Sequence, residues 1–173
     1  MNSVPSQQQG IVQDIAYRPA DGQPLTRTQK VEVITAAGLT VERGRSRKRG
    51  VTIVSQESWE EACRDLGKRV PWTARRANLL VSGIDLAATI GSELTVGDVR
   101  LLVHGETKPC PIMDRSEQGL QEVLRPHFRG GVYAEVLAGG SIKIGDRVGV
   151  AARPAAFASR SASSGAPGPG LIS

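Results

Sequence analysis

The sequence predicts a mainly β domain, a small closed antiparallel barrel with a few peripheral helices. Three observations point there. Runs of β-forming residues recur at short spacing, each bounded by Gly, Pro or Asp. Two stretches echo each other as strand, Gly-Asp turn, strand: Leu94-Thr-Val96-Gly97-Asp98-Val99-Arg-Leu101 and Ile142-Lys-Ile144-Gly145-Asp146-Arg-Val148-Gly-Val150. Helical patterning is confined to 55–67 and about 116–125.

Taken in order, Ile11 to Arg18 predicts the first strand, stopped by Pro19 and followed by the turn pair Asp21-Gly22. Lys30 to Thr35 alternates with Val31 and Val33 on one face and predicts a second strand ending at Gly38. Five of the seven residues from Arg43 to Arg49 are basic, with no apolar anchor, which predicts an exposed loop. Val51 to Val54 reads as a short buried strand. Ser55 is then placed to cap a helix with Glu57, Glu60 and Glu61 in its first turns and Gly67 as its stop. Trp59, Cys63 and Leu66 are the expected buried stripe of that helix. Asn78 to Val81 predicts a strand, and Asp85 opens a short helical turn.

The chain has 173 residues and, with 22 Lys and Arg against 17 Asp and Glu, a net charge of +5. This is the size of one globular domain. Residues 1–9 and 153–173 are rich in Ser, Ala, Gly, Pro and Gln without apolar period and are expected to be disordered, leaving 10–152 as the domain. No stretch reaches the roughly 20 apolar residues of a spanning helix, since Leu79 to Ile90 is interrupted by Ser82, Gly83 and Asp85. The start MNSVPSQQQG has neither the basic beginning nor the apolar core of a secretory signal, and two cysteines are too few for a disulfide framework. A cytoplasmic location with reduced thiols is the expectation.

Cys110, in Thr107-Lys108-Pro109-Cys110-Pro111, is the leading chemical candidate. The flanking prolines stiffen an extended loop, and Lys108 would favour the thiolate. It reads either as a reactive or metal-ligating thiol or as a small buried hydrophobe, the role assigned to Cys63. Zinc-type spacing is missing, because the two histidines, His104 and His127, lie in neither Cys-x-x-Cys nor His-Glu-x-x-His context. His104 ends a strand and is expected to be structural; His127, after Pro126, is expected at the surface of a helix end. Arg75, Arg76 and Asn78, and likewise Arg129 with Gly130-Gly131, stand where loops enter strands. Their guanidiniums and exposed N–H groups suit a phosphate, or alternatively cap carbonyls and pair with surface carboxylates such as Asp85 and Glu135. The 43–49 run offers a second function class, a polyanion-binding module. Without aromatics inside the run to stack on bases, nucleic acid is disfavoured, and a solvated loop or the rim of an anion site is the better expectation.

In order along about residues 10–150, the chain resembles the MOSC domain, named for the C-terminal part of molybdenum cofactor sulfurase. The pieces are Val51-Thr-Ile-Val-Ser55 into Glu57-Ser-Trp59; Pro71-Trp72-Thr-Ala-Arg75-Arg76-Ala-Asn78-Leu79-Leu80-Val81; Ile84-Asp85-Leu86; Ile90-Gly91 to Gly97; Lys108-Pro109-Cys110; and Arg129-Gly130-Gly131 through Asp146. The resemblance implies a twisted antiparallel β-barrel and a molybdenum cofactor whose metal is ligated by Cys110. It makes Arg75, Arg76, Asn78, Lys108, Arg129 and Gly130 the expected cofactor-binding set. It further implies an oxidoreductase acting on N-hydroxylated small molecules, fed by an external electron-transfer protein. The alternative within the family is a sulfur carrier bearing a Cys110 persulfide received from a sulfur donor. Pyridoxal phosphate belongs to the desulfurase domain of larger relatives and is not expected on this chain. Where many relatives carry Gly-Asp-Arg-His, this chain has Glu42-Arg43-Gly44 after Gly38 to Val41, so the common histidine is replaced by Gly44.

Overall fold

The computed structural model describes residues 8–20, 23–42 and 45–151. The expected Asp21-Gly22 turn, the Arg43-Gly44 departure, residues 1–7 and the tail from 152 lie outside them.

Eleven strands are present among the described residues: β1 (Gln9–Tyr17), β2 (Thr26–Thr28), β3 (Lys30–Ile34), β4 (Gly38–Leu39), β5 (Val51–Ser55), β6 (Leu79–Ser82), β7 (Glu93–Val96), β8 (Val99–Glu106), β9 (Val132–Ala138), β10 (Gly140–Lys143) and β11 (Arg147–Val150). The helices are α1 (Gln56–Leu66), α2 (Ile112–Ser116) and α3 (Leu120–Leu124). Seven strands close a barrel in the order β11-β7-β8-β9-β5-β6-β1, the ring completed by β1 pairing with β11. All its pairings are antiparallel except β5 with β6, which α1 connects as a crossover. A small sheet, β10-β3-β4, packs against the barrel, and β2 extends the far end of β1.

Period-two alternation explains which side chains fill the barrel. Val51 and Ile53 of β5 and Leu79 and Val81 of β6 point into one cluster with Leu94, Leu101, Val103 and Ala134, joined by Val31, Val33 and Ile142 of the small sheet. The intervening Val54 and Leu80 point outward into a second cluster with Trp59, Ala62, Trp72, Met113, Leu120 and Leu124. The helices therefore cover one outer wall of the barrel, and β5 is buried on both faces.

Local signals position α1 as expected. The Ser55 hydroxyl accepts from the Ser58 N–H at 3.3 Å, and Gly67 closes the helix at φ +75°. Its buried face differs: Trp59 and Ala62 are buried, whereas Cys63 and Leu66 are only partly so. Of the expected helix at about 116–125 only α3 forms, since Glu117 is extended and Gly119 stands at φ +92°; α2 lies ahead of that span and ends at Ser116.

The two Gly-Asp echoes also diverge. The first is the hairpin β7–β8, with Val96 opposite Val99 across Gly97-Asp98. The second is no hairpin: β10 pairs with β3, and β11 with β7 and β1. Its turn hands the chain from the small sheet to the barrel. Asp146 accepts from the Lys143 N–H at 2.8 Å through its carboxylate and from the Val12 N–H at 2.9 Å through its carbonyl.

Asn78, fully buried at the mouth of β6, ties three segments together. Its Oδ1 accepts from the Thr52 N–H at 3.0 Å and the Thr52 hydroxyl at 3.1 Å, while Nδ2 donates to the Ala16 carbonyl at 3.2 Å and to Glu42 at 3.0 Å. Asn78→Ala leaves several buried groups without partners and is expected to destabilise the protein by about 2–4 kcal/mol, measured by urea unfolding.

Glu57 joins α1 to the turn after β6. Burial pushes its carboxyl up, but the N–H groups of Gly83 and of Glu57 itself and the Ser55 hydroxyl lower it by more, so the net direction is down. A carboxyl lowered on folding stabilises above its unfolded value and loses that contribution as pH falls through its folded one. Glu57→Gln should therefore be less stable than wild type at neutral pH, with the difference vanishing in acid. Urea midpoints across that range test this.

Candidate functional site

A cleft of about 140 Å³ opens beside the start of β5, between the loop before β6 and the Cys110 loop. Five arginines line it: Arg18, Arg45, Arg49, Arg75 and Arg76. Cys110, half-buried, is the thiol in its wall, with Ile112 and Met113 as apolar neighbours and Thr107 and Gly130 alongside. Among the described residues, no Asp, Glu or His lines it.

Arg75 builds this cleft. It closes the 3₁₀ turn Trp72–Arg75 and is only 6 % exposed. Its Nε donates to the Gly130 carbonyl at 2.7 Å, one Nη donates to the Thr107 carbonyl at 2.8 Å, and the other faces the Met113 sulfur at 3.8 Å. The carbonyl-capping expectation thus holds for Arg75, and it still fronts the cavity. Burial pushes its guanidinium below the ordinary arginine range; the thiolate form of Cys110 and Glu106 pull it back up, and Arg49 adds to the lowering. Arg75, rather than Lys108, is thus the cation that shares the cleft lining with Cys110. Lys108 is exposed and does not line the cleft.

Neither Arg75 nor Arg76 is in a strand: Arg76 takes a left-handed conformation at φ +63°, and both line the cleft. Gly130 is there because its backbone presses on the Cys110 loop, where a Cβ would lie 2.5 Å from the Thr107 carbonyl. Two expected residues are absent from the lining. Asn78 lies behind it, holding Thr52 and Glu42. Arg129 turns the other way, donating to Asp65 at 2.7 Å and to the Val123 carbonyl at 3.0 Å, with Glu61 at 3.6 Å. An Arg-Gly-Gly sequence looks the same whichever carboxylates its guanidinium meets.

His104 and His127 do not line the cleft. His104 stacks on Tyr133 with ring centroids 6.3 Å apart, and His127 is exposed in a separate turn at φ +55°. The basic run folds back in part. Arg47 pairs with Glu135 at 3.3 Å, and Arg49 lies 4.6 Å over the Tyr133 ring, so 47–49 forms a short 3₁₀ turn docked on β9. The sequence suggests this segment as a solvated loop or the rim of an anion site, and in the structure Arg45 and Arg49 line the cleft. Arg18 and Thr107 were missed. The Thr107 hydroxyl is buried without a partner and was legible only as a neighbour of Cys110, while Arg18 at the end of β1 carried no signal.

A family model, "MOSC domain", matches residues 38–149, which takes in most of the barrel and all of the Cys110 loop. The chain belongs to the MOSC domain family. The fold is similar to that of the YuaD protein from Bacillus subtilis, with a TM-score of 0.71 at 20 % identity, covering 84 % of this chain and 97 % of that one. It is also similar to YiiM from Geobacillus stearothermophilus, with a TM-score of 0.67 at 16 % identity, covering 83 % and 76 %. YiiM from Escherichia coli gives 0.64 at 15 %, covering 87 % and 72 %. No curated protein matches the chain. Among the described residues of this MOSC protein, no helix is long and apolar enough to cross a membrane.

Arg75→Lys keeps the charge but cannot span both carbonyls with a planar fork. It should lower stability by about 1–3 kcal/mol, measured by urea unfolding, and speed iodoacetamide labelling of Cys110 as the loop loosens.

Proposed function

We propose that this MOSC protein binds a molybdenum cofactor in the cleft, with Cys110 as the protein ligand to the metal, and reduces N-hydroxylated compounds. The observation that carries this reading is a single thiol set among five arginines. Among the described residues no three His, Cys, Asp or Glu side chains converge, so a bare metal ion would find no ligand set. A metal that arrives in its own pterin dithiolene needs only one soft donor from the protein, together with cations for its phosphate. The unpartnered Thr107 hydroxyl offers a further hydrogen bond to such a ligand. The residues present fit the group.

In this mechanism Cys110 ligates as thiolate, and Arg75, held by two carbonyls, keeps a positive charge beside it without moving. Arg76 would hold the pterin phosphate, and Ile112 and Met113 shield the thiol side from water. When bound, the cofactor would supply the two-electron chemistry for reductive loss of the N-hydroxyl oxygen. The net reaction consumes two electrons and two protons and releases the amine or amidine and water. The electrons come from an external electron-transfer protein. With no carboxyl or imidazole lining the described cleft, the protons enter from solvent. Two cysteines, too few for a disulfide framework, support a cytoplasmic setting with both thiols reduced. Docking of 47–49 on β9 makes that turn part of the cleft wall, which counts against a free polyanion-binding loop.

The test is the molybdenum content of protein produced in a host competent for cofactor synthesis. Wild type and Cys63→Ala should carry near-stoichiometric metal and reduce N-hydroxylated substrates, and Cys110→Ala should lose both by more than about tenfold. Protein that carries no molybdenum but a Cys110 persulfide would replace this reading with the sulfur carrier.

A further inference from the structure

The cleft holds more positive charge than one phosphate requires, and its arginines are mounted in two different ways. Arg75 and Arg76 belong to the loop before β6 and form the inner wall. Arg18, which directly follows β1, and Arg45 and Arg49, of the segment before β5, form the outer wall.

The outer wall has its own framework, centred on Glu42. Its carboxylate is buried, with 3 % of the side chain exposed, and accepts three hydrogen bonds. They come from the Arg18 N–H at 2.9 Å, Asn78 Nδ2 at 3.0 Å and Arg45 Nε at 2.9 Å. Asn78 is in turn fixed to β5 and β1 through Thr52 and the Ala16 carbonyl. A buried ion pair of this kind adds little net stability, because desolvating both partners offsets their attraction. What it does provide is orientation. With Nε committed to Glu42, the Nη groups of Arg45 make no hydrogen bond among the described residues, and the side chain lines the cleft. Arg49 is fixed independently, over the Tyr133 ring.

Resting on the functional reading above, we infer that the outer wall is a second anion subsite, distinct from that of the cofactor phosphate. Arg45, Arg18 and Arg49 bind an oxyanion carried by the substrate, and Glu42 acts as the positioning residue. The substrate class is then an N-hydroxylated compound bearing a phosphate or carboxylate. Glu42 sets one negative charge behind this subsite, so three guanidiniums leave a net +2 to meet the ligand.

Inorganic phosphate titrated into the ¹⁵N-arginine-labelled full chain tests this through the side-chain Nε signals. Arg45 and Arg76 should follow two separate saturation curves. In Arg45→Gln, which leaves the other two donors to Glu42 in place, the Arg76 curve should be unchanged while the response of Arg49 weakens about tenfold or more. Glu42→Gln, checked for folding by its thermal melt, should weaken the Arg45 response similarly without moving that of Arg76. Acetate saturating Arg45 would support the subsite and assign a carboxylate; a response to phosphate alone would support it and assign a phosphate ester. The proposal is overturned if Arg45 stays unmoved while Arg76 saturates, or if both follow one curve that neither outer variant alters. A silent Arg76 with a responsive Arg45 would instead count against the cofactor reading and leave the outer subsite standing.

Discussion

The guanidinium of Arg75 is the contact on which the cleft depends. Burying it is unfavourable, and burial lowers its proton affinity, yet it remains charged because arginine ionises far above neutral pH. Two backbone carbonyls take the place of the lost water. One belongs to Thr107, where the chain leaves β8 towards Cys110, and the other to Gly130, where it turns into β9. Tethering these two points from the loop before β6 draws three distant segments together and sets a positive charge facing the only thiol of the wall.

Behind this clamp the barrel supplies rigidity. Closure of β1 on β11 leaves the ring without an open edge there, and the parallel β5–β6 pair at its centre is covered outside by α1, α2 and α3. Asn78 stands where these layers meet and satisfies backbone groups that neither sheet nor helix reaches. It also fixes Glu42, and through it Arg45, so packing in the fold and charge placement in the cleft share one hydrogen-bonded framework.

Much of the fold was legible locally. The Ser55 cap and Gly67 stop act within one helical turn, and the alternation of Val31 and Val33 needs only a neighbouring strand. Errors arose where local patterns are degenerate. Leu120 to Leu124 continues an amphipathic pattern, but Gly119 in the left-handed region breaks the helix ahead of it. The second Gly-Asp turn has the residues of a hairpin, and only the partners of its two strands reveal that it joins different sheets. Cys110 was legible because two prolines isolate it from any apolar period. Arg129 meets the second of its two expected roles, pairing with a carboxylate, because folding brings Asp65 to it from 64 residues away.

By itself, then, the sequence determined the strand-rich class, the caps of α1, the isolated thiol and the surplus of cations near it. These follow from torsional preference, side-chain period and composition, which act over a few residues. The tertiary structure decided which arginines face the thiol and which are neutralised elsewhere. Arg75 reaches carbonyls 55 and 32 residues away, and Arg129 meets a carboxylate 64 residues earlier. A guanidinium has the same five donors wherever it stands, so its role is set by the partners that folding brings within hydrogen-bond distance.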